Sequence, residues 1–144
     1  VPSPHSPAGP VVVLSGNPRP ASRTLGVAEA LGRRVADLLG TGDVVTIDLA
    51  ALVGELFTAD RPAVDRARDR LAGAAVAVVA TPVYKASYTG LLKSFLDTFG
   101  PDGFYQLAKS VGEDPAPGTP GALATLLATI VAFGVGYVVI IGFL

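Results

Sequence analysis

From residue 11 to residue 100, short apolar runs alternate with amphipathic segments, and the spacing in each predicts its structure. Residues 11–14 are four consecutive apolar positions, the pattern of a short strand covered on both faces. Residues 24–39 place Ala28, Leu31, Val35 and Leu38 on one stripe, which predicts an amphipathic helix ended by Gly40 and Gly42. In 43–49, Val44, Thr46 and Asp48 alternate with Val45, Ile47 and Leu49, as in an outer strand with one wetter face. Residues 50–57 form a weak helical or loop segment. A second helix is expected from Asp60-Arg61-Pro62 to about Ala72, with Asp60 able to cap and Pro62 tolerated in the first turn. Residues 74–80 contain no polar side chain and read as a buried strand. Residues 90–99 group Leu91, Leu92, Phe95, Leu96 and Phe99 at helical spacing. Strands alternating with helices predict an α/β fold, an open parallel sheet that binds ligands at the carboxyl ends of its strands.

The pattern changes after residue 100. Residues 113–121, EDPAPGTPG, read as a Pro/Gly hinge, and 122–144 are 23 residues without a charge. At 1.5 Å per residue that run would reach about 35 Å as a helix, against about 30 Å for a bilayer core. Ala124, Ala128, Ala132 and Gly136 recur every four residues, a seam suited to close helix packing. A transmembrane helix is therefore expected over 122–144, with a buried soluble helix as the alternative. At the other end, 1–10 carry four prolines and no period, which predicts a disordered lead-in without the features of a signal peptide.

Composition narrows the chemistry. The net charge of −1 gives no global field to recruit nucleic acid, and the charges along 60–72 read as a solvated helix face, Asp65 attracting Arg68. With no Cys there is no disulfide, thiolate zinc site or Cys nucleophile. The one His, His5, falls in the Pro-rich lead-in and is expected to be solvated. Neither a catalytic side chain nor a metal site is assigned.

Two stretches carry a binding signal. Residues 11–24, VVVLSGNPRPASRT, run from strand through polar loop to helix start. Such a loop offers an anion unpaired backbone N–H groups and the positive end of the helix dipole, with Ser15, Asn17, Ser22 and Thr24 as short hydrogen-bonding side chains and Arg19 and Arg23 as charge. It is neither a Walker A loop nor a G-x-G-x-x-G fingerprint, so on its own it is compatible with a phosphate site or a plain polar turn. Residues 81–97, TPVYKASYTGLLKSFLD, follow the second buried strand. Together they resemble the NADPH-dependent FMN reductase family of flavodoxin-like flavoproteins. That family has S-x-S/N-P-R-x-x-S-[RK]-[ST] after its first strand and P-x-Y-x-x-S-x-x-G-x-L-K-x-x-L-D after its third. The matching residues are Ser15, Pro18, Arg19, Ser22, Arg23 and Thr24, then Pro82, Tyr84, Ser87, Gly90, Leu92, Lys93, Leu96 and Asp97.

The resemblance implies that Ser15, Arg19, Ser22, Arg23 and Thr24 hold the FMN phosphate. Pro82, Val83, Tyr84 and Lys85 would line the ribityl and isoalloxazine, and Ser87 and Gly90 would shape the turn into the next helix. Lys93 and Asp97 read more simply as an i,i+4 surface pair. The implied cofactors are FMN and NADPH, the implied reaction is hydride transfer from NADPH to flavin, and a partner monooxygenase would take the reduced flavin. The family's later strand and Gly-rich loop are not recognisable after 101–103. The expected sheet is accordingly truncated, of order 2-1-3, with 74–80 at its edge and open to pairing in a homodimer. Residues 103–144 instead resemble a late stretch of bacterial undecaprenyl-diphosphatase, but none of that family's active-site motifs is present to carry over. The expected organisation is a lead-in at 1–10, an incomplete flavodoxin-like domain at 11–101, a linker at 102–121 and a membrane helix at 122–144. A cytoplasmic domain attached to a membrane would result. Three functions remain open: a flavin reductase, an FMN-binding module without turnover, and a chimeric fragment without activity.

Overall fold

The computed structural model describes residues 9–85, 87–100, 129–133 and 136–142. Residues 1–8 of the expected lead-in at 1–10, the linker at 102–121 and the stretch 122–128 lie outside the described residues. In chain order the elements are β1 (Val11–Ser15), α1 (Arg23–Leu39), β2 (Val44–Asp48), α2 (Pro62–Ala72), β3 (Val76–Pro82), α3 (Gly90–Asp97), β4 (Thr129–Phe133) and β5 (Gly136–Gly142). A 3-10 turn, Leu49–Leu52, follows β2.

β1 lies between β2 and β3, parallel to both, with Val11 opposite Val44 and Val76 and Ser15 opposite Asp48 and Ala80. The three strands are therefore level where β1 ends, and β3 runs two residues further. Successive side chains of a strand face opposite sides of a sheet, and the buried residues divide accordingly. Val11, Val13, Val76, Val78 and Ala80 face α1, through Ala28 and Ala36. Val12, Leu14, Ala77 and Val79 face the other way, against Val64, Ala67 and Leu71 of α2 and Leu92 and Phe95 of α3. Each fully buried Val, Leu or Phe contributes on the order of 1.5–3 kcal/mol relative to exposure. That drive explains why 11–14 and 74–80 are apolar without interruption.

The helices agree with the expected spacing but differ in which face is buried. On α1 the buried residues are Ala28, Gly32 and Ala36, whereas Leu38, expected on the stripe, is 78% exposed. A Cβ at Gly32 would overlap Val13 Cγ2, so the helix lies against β1 at its smallest residues and the larger Leu31, Val35 and Leu39 flank the contact. Counting apolar residues alone misses Gly32. Asp60 does not cap α2. Arg61 occupies the cap position without a side-chain bond, and Glu55 Oε2 accepts from the Ala63 N–H at 2.8 Å. The charged face of α2 is not wholly solvated either. Arg68 bonds Asp65 at 3.3 Å and lays its guanidinium 5.1 Å from the centre of the Phe99 ring.

The largest correction concerns the C-terminal apolar run. Residues 129–133 and 136–142 are strands, and among the described residues no helix is long and apolar enough to cross a membrane. β5 pairs antiparallel with β3 from Val76↔Gly142 to Pro82↔Gly136, and β4 pairs antiparallel with β5. The sheet order is β2-β1-β3-β5-β4, not 2-1-3. The physical reason lies in the residue types. Thr129, Ile130, Val131, Val138, Val139, Ile140 and Ile141 are β-branched, Phe133 and Tyr137 are aromatic, and Gly134 and Gly136 interrupt any helix between them. An apolar run satisfies its backbone in a sheet as well as in a helix, and β3 offers a full edge of partners. β3 is thus an interior strand, and the reason for expecting a homodimer through its edge disappears. The expected membrane attachment likewise loses its helical basis at these residues.

Gly32 yields a direct test. An alanine is ordinarily favoured over glycine inside a helix by about 1 kcal/mol. Gly32→Ala is nevertheless expected to destabilise the protein by about 1–3 kcal/mol, because α1 must move off β1. The urea midpoint of the variant should fall; a rise would show that the helix is not held against Val13.

Candidate functional site

The loop leaving β1 is built around Asn17. Asn17 is 8% exposed, and its Oδ1 accepts from the Arg19 N–H at 2.9 Å while its Nδ2 donates to Thr24 Oγ1 at 3.0 Å. An Asn side chain bonding the backbone two residues on is a local turn that competes well with regular structure, particularly before a proline. Ser15 is fully buried, and its Oγ lies 3.5 Å from the Asn17 N–H. Ala21, at φ 51, turns the chain into α1 through the left-handed region. Ser22 is the helix cap, its Oγ accepting from the Leu25 N–H at 3.1 Å.

The loop leaving β3 is a tight reversal. Tyr84 and Ser87 exchange backbone bonds of 2.9 and 3.1 Å, and Lys85 between them holds φ 50. Two-residue reversals require positive φ in their centre, which for a lysine is a strained choice costing about 1–2 kcal/mol. Tyr84, Lys85 and Ser87 are exposed, Val83 is half-buried and Pro82 is buried. Thr89 then caps α3, its Oγ1 accepting from the Leu92 N–H at 3.1 Å.

These two loops are one construction. Thr89 Oγ1 donates to the Gly16 carbonyl at 2.6 Å, the Thr89 N–H donates to Thr81 Oγ1 at 3.1 Å, and the Gly16 N–H donates to the Ala80 carbonyl at 2.7 Å. A Cβ on Gly16 would come within 2.9 Å of Leu92 Cβ, so only glycine lets the first loop sit this close to α3. Both expected residue sets therefore border the carboxyl ends of adjacent parallel strands, where open α/β sheets bind ligands.

Within that frame the expected residues divide. Arg19 and Arg23 are exposed and make no ion pair among the described residues. Ser22 and Thr24 are half-buried, and each hydroxyl is engaged as an acceptor, which leaves its own proton to donate. With the N–H groups at the first turn of α1 they form a donor-rich, positively charged loop. Ser15 is placed inside the loop, under the donors. Gly90 opens α3 with free space around a would-be Cβ and no positive φ, so the turn is shaped by Thr89. Lys93 bonds Asp97 at 2.7 Å on the outer helix surface, with both side chains more than half exposed. That hydrogen bond, and then the carboxylate charge, raise the Lys93 pKa above 10.5; the small stabilisation is present below that pH and lost as pH rises through the raised value. Thr89 was not among the expected site residues, and Asn17 was expected only as one of the loop's short hydrogen-bonding side chains, without its part in the turn. The available signals were an Asn-Pro turn and a Thr just before an apolar helix.

The similarity to known proteins points the same way. The family model described as NADPH-dependent FMN reductase matches residues 10–133. Over 92 residues the chain is 36% identical to the NADH-dependent FMN reductase SfnF of Pseudomonas putida, covering 60% of this chain and 50% of that protein. The chain thus spans about half the length of this curated relative. The family match continues past 101–103, where the resemblance was expected to stop, and reaches the end of β4. The expected seam between two unrelated proteins is therefore not a boundary of this family likeness.

Thr89 is the residue whose loss tests the joint between the loops. Thr89→Val keeps the volume but strands the Gly16 carbonyl and the Leu92 N–H, a cost of about 1–3 kcal/mol. Thr89→Ser is expected to recover most of it. Chemical denaturation of both variants decides the matter; an unchanged Thr89→Val midpoint would mean that the loops are held otherwise.

Proposed function

The chain belongs to the NADPH-dependent FMN reductase family, and from that premise we propose that it binds FMN across the carboxyl ends of β1 and β3 for reduction by a nicotinamide. The observation that carries this reading is the pair of donor hydroxyls, Ser22 and Thr24, beside two exposed arginines, Arg19 and Arg23, that make no ion pair among the described residues. A phosphate monoester needs several donors and positive charge in one place, and this loop supplies both.

In this reading Arg19, Arg23, Ser22 and Thr24 bind the phosphate, while buried Ser15 supports the turn beneath them. Pro82, Val83 and Tyr84 offer an apolar and aromatic wall for the flavin ring, and the Tyr84–Ser87 reversal fixes where Lys85 stands. FMN when bound supplies the hydride-accepting chemistry. The protein's part is to orient the ring and exclude water, so the lack of a usable His or Cys is no obstacle. The family description names NADPH and the Pseudomonas relative is NADH-dependent, so the donor is stated as a reduced nicotinamide of either kind. Reduced flavin leaving the site would serve a partner monooxygenase.

The reading is tested by flavin titration and by nicotinamide oxidation with FMN added. Arg19→Ala and Thr24→Ala are each expected to weaken FMN binding by about 1.5–3 kcal/mol, with riboflavin nearly unaffected. Equal losses for the two flavins would show that the loop does not hold the phosphate. FMN binding without oxidation of either NADH or NADPH would instead identify a flavin-binding module.

A further inference from the structure

A hydroxyl recognises phosphate well only if its proton is free to point at it, and in this loop that depends on a residue buried behind the hydroxyl. Asn17 Oδ1 accepts from the Arg19 N–H at 2.9 Å, so the other end of the amide must be Nδ2, the donor. That donor meets Thr24 Oγ1 at 3.0 Å, and Thr24 has no other side-chain partner among the described residues. Thr24 Oγ1 is thereby made an acceptor on its inner side, and its proton is left for the outer side. The same amide sets the backbone of Arg19, and with it the base of the Arg19 side chain. Asn17 itself is almost fully buried and not presented to a ligand.

We infer that Asn17 is a positioning residue for phosphate recognition: it polarises the Thr24 hydroxyl outward and anchors the Arg19 turn, so that the loop distinguishes phosphorylated from unphosphorylated flavin. The inference rests on the FMN reading above and adds to it a residue that need not touch the cofactor.

Aspartate separates this role from a merely structural one. Asn17→Asp keeps an oxygen to accept from the Arg19 N–H, so the turn is preserved, but it replaces the donor facing Thr24 with an acceptor. Thr24 would then donate inward and present no proton to the phosphate. The expected result is an FMN affinity about 10- to 100-fold weaker, with riboflavin affinity changed little. Because a new carboxylate also repels phosphate, the decisive comparison is a double-mutant cycle with Thr24→Val. If Asn17 acts through Thr24, Asn17→Asp costs FMN at least several-fold less in the Thr24→Val background than in the unaltered chain. Additive losses, or equal losses for FMN and riboflavin, would overturn the inference. Equal affinity of the unaltered chain for both flavins would remove the phosphate reading itself and this inference with it. The urea midpoint of Asn17→Asp is expected to stay close to that of the unaltered chain; a collapse of the fold would show that Asn17 is structural.

Discussion

The hydrogen bond from Thr89 Oγ1 to the Gly16 carbonyl, 2.6 Å long and spanning 73 residues of sequence, joins the two halves of the candidate site. It is buried, and the same hydroxyl caps α3 through the Leu92 N–H. A buried donor or acceptor left unmatched is expensive, so the first loop, the helix start and the end of β3 hold one another in a single arrangement. Gly16 makes the approach sterically feasible, and the register Ser15↔Ala80 brings the two loops to the same level. Moving either loop would break several of these bonds together. Rigidity of this kind is what a phosphate and a planar ring, held at two points, demand of a site.

The covered parts of the fold were legible because burial writes its period directly into the sequence. Residues 11–14 and 76–80 sit in strands with helices on both sides, and burial accounts for their uninterrupted apolar character. α1 to α3 were equally plain from their spacing, although Gly32, not a large apolar residue, decides which face of α1 meets the sheet. Within the run 122–144, the segments 129–133 and 136–142 differ from the expected membrane helix because length and lack of charge are the same for such a helix and for paired apolar strands. What separates them is a partner, the open edge of β3, which is distant in sequence. The β-branched composition of 129–133 and 136–142 was the local clue.

The site shows the same division. Arg19, Ser22, Arg23 and Thr24 were legible as candidates because charges and hydroxyls near a helix start are what an anion site would require, and the fold brings them to one loop. Thr89 was not legible as a site residue, and Asn17 only as one of the loop's polar side chains, since their importance lies in what they bond. Asn17 reaches Thr24 across a turn, and Thr89 reaches Gly16 across most of the described chain. Ser15 carries the opposite lesson: it matches the expected pattern, yet the fold buries it under the loop.

The central proposal is that this loop and the wall after β3 form one FMN site, with the phosphate at the start of α1, and calorimetric titration of the unaltered chain tests it most directly. The protein would be titrated with FMN and with riboflavin at one ionic strength. FMN is expected to bind at least about tenfold more tightly, since even one charge-assisted bond to phosphate is worth 1.5 kcal/mol or more. Equal affinities, or tighter binding of riboflavin, would contradict a phosphate site at this loop.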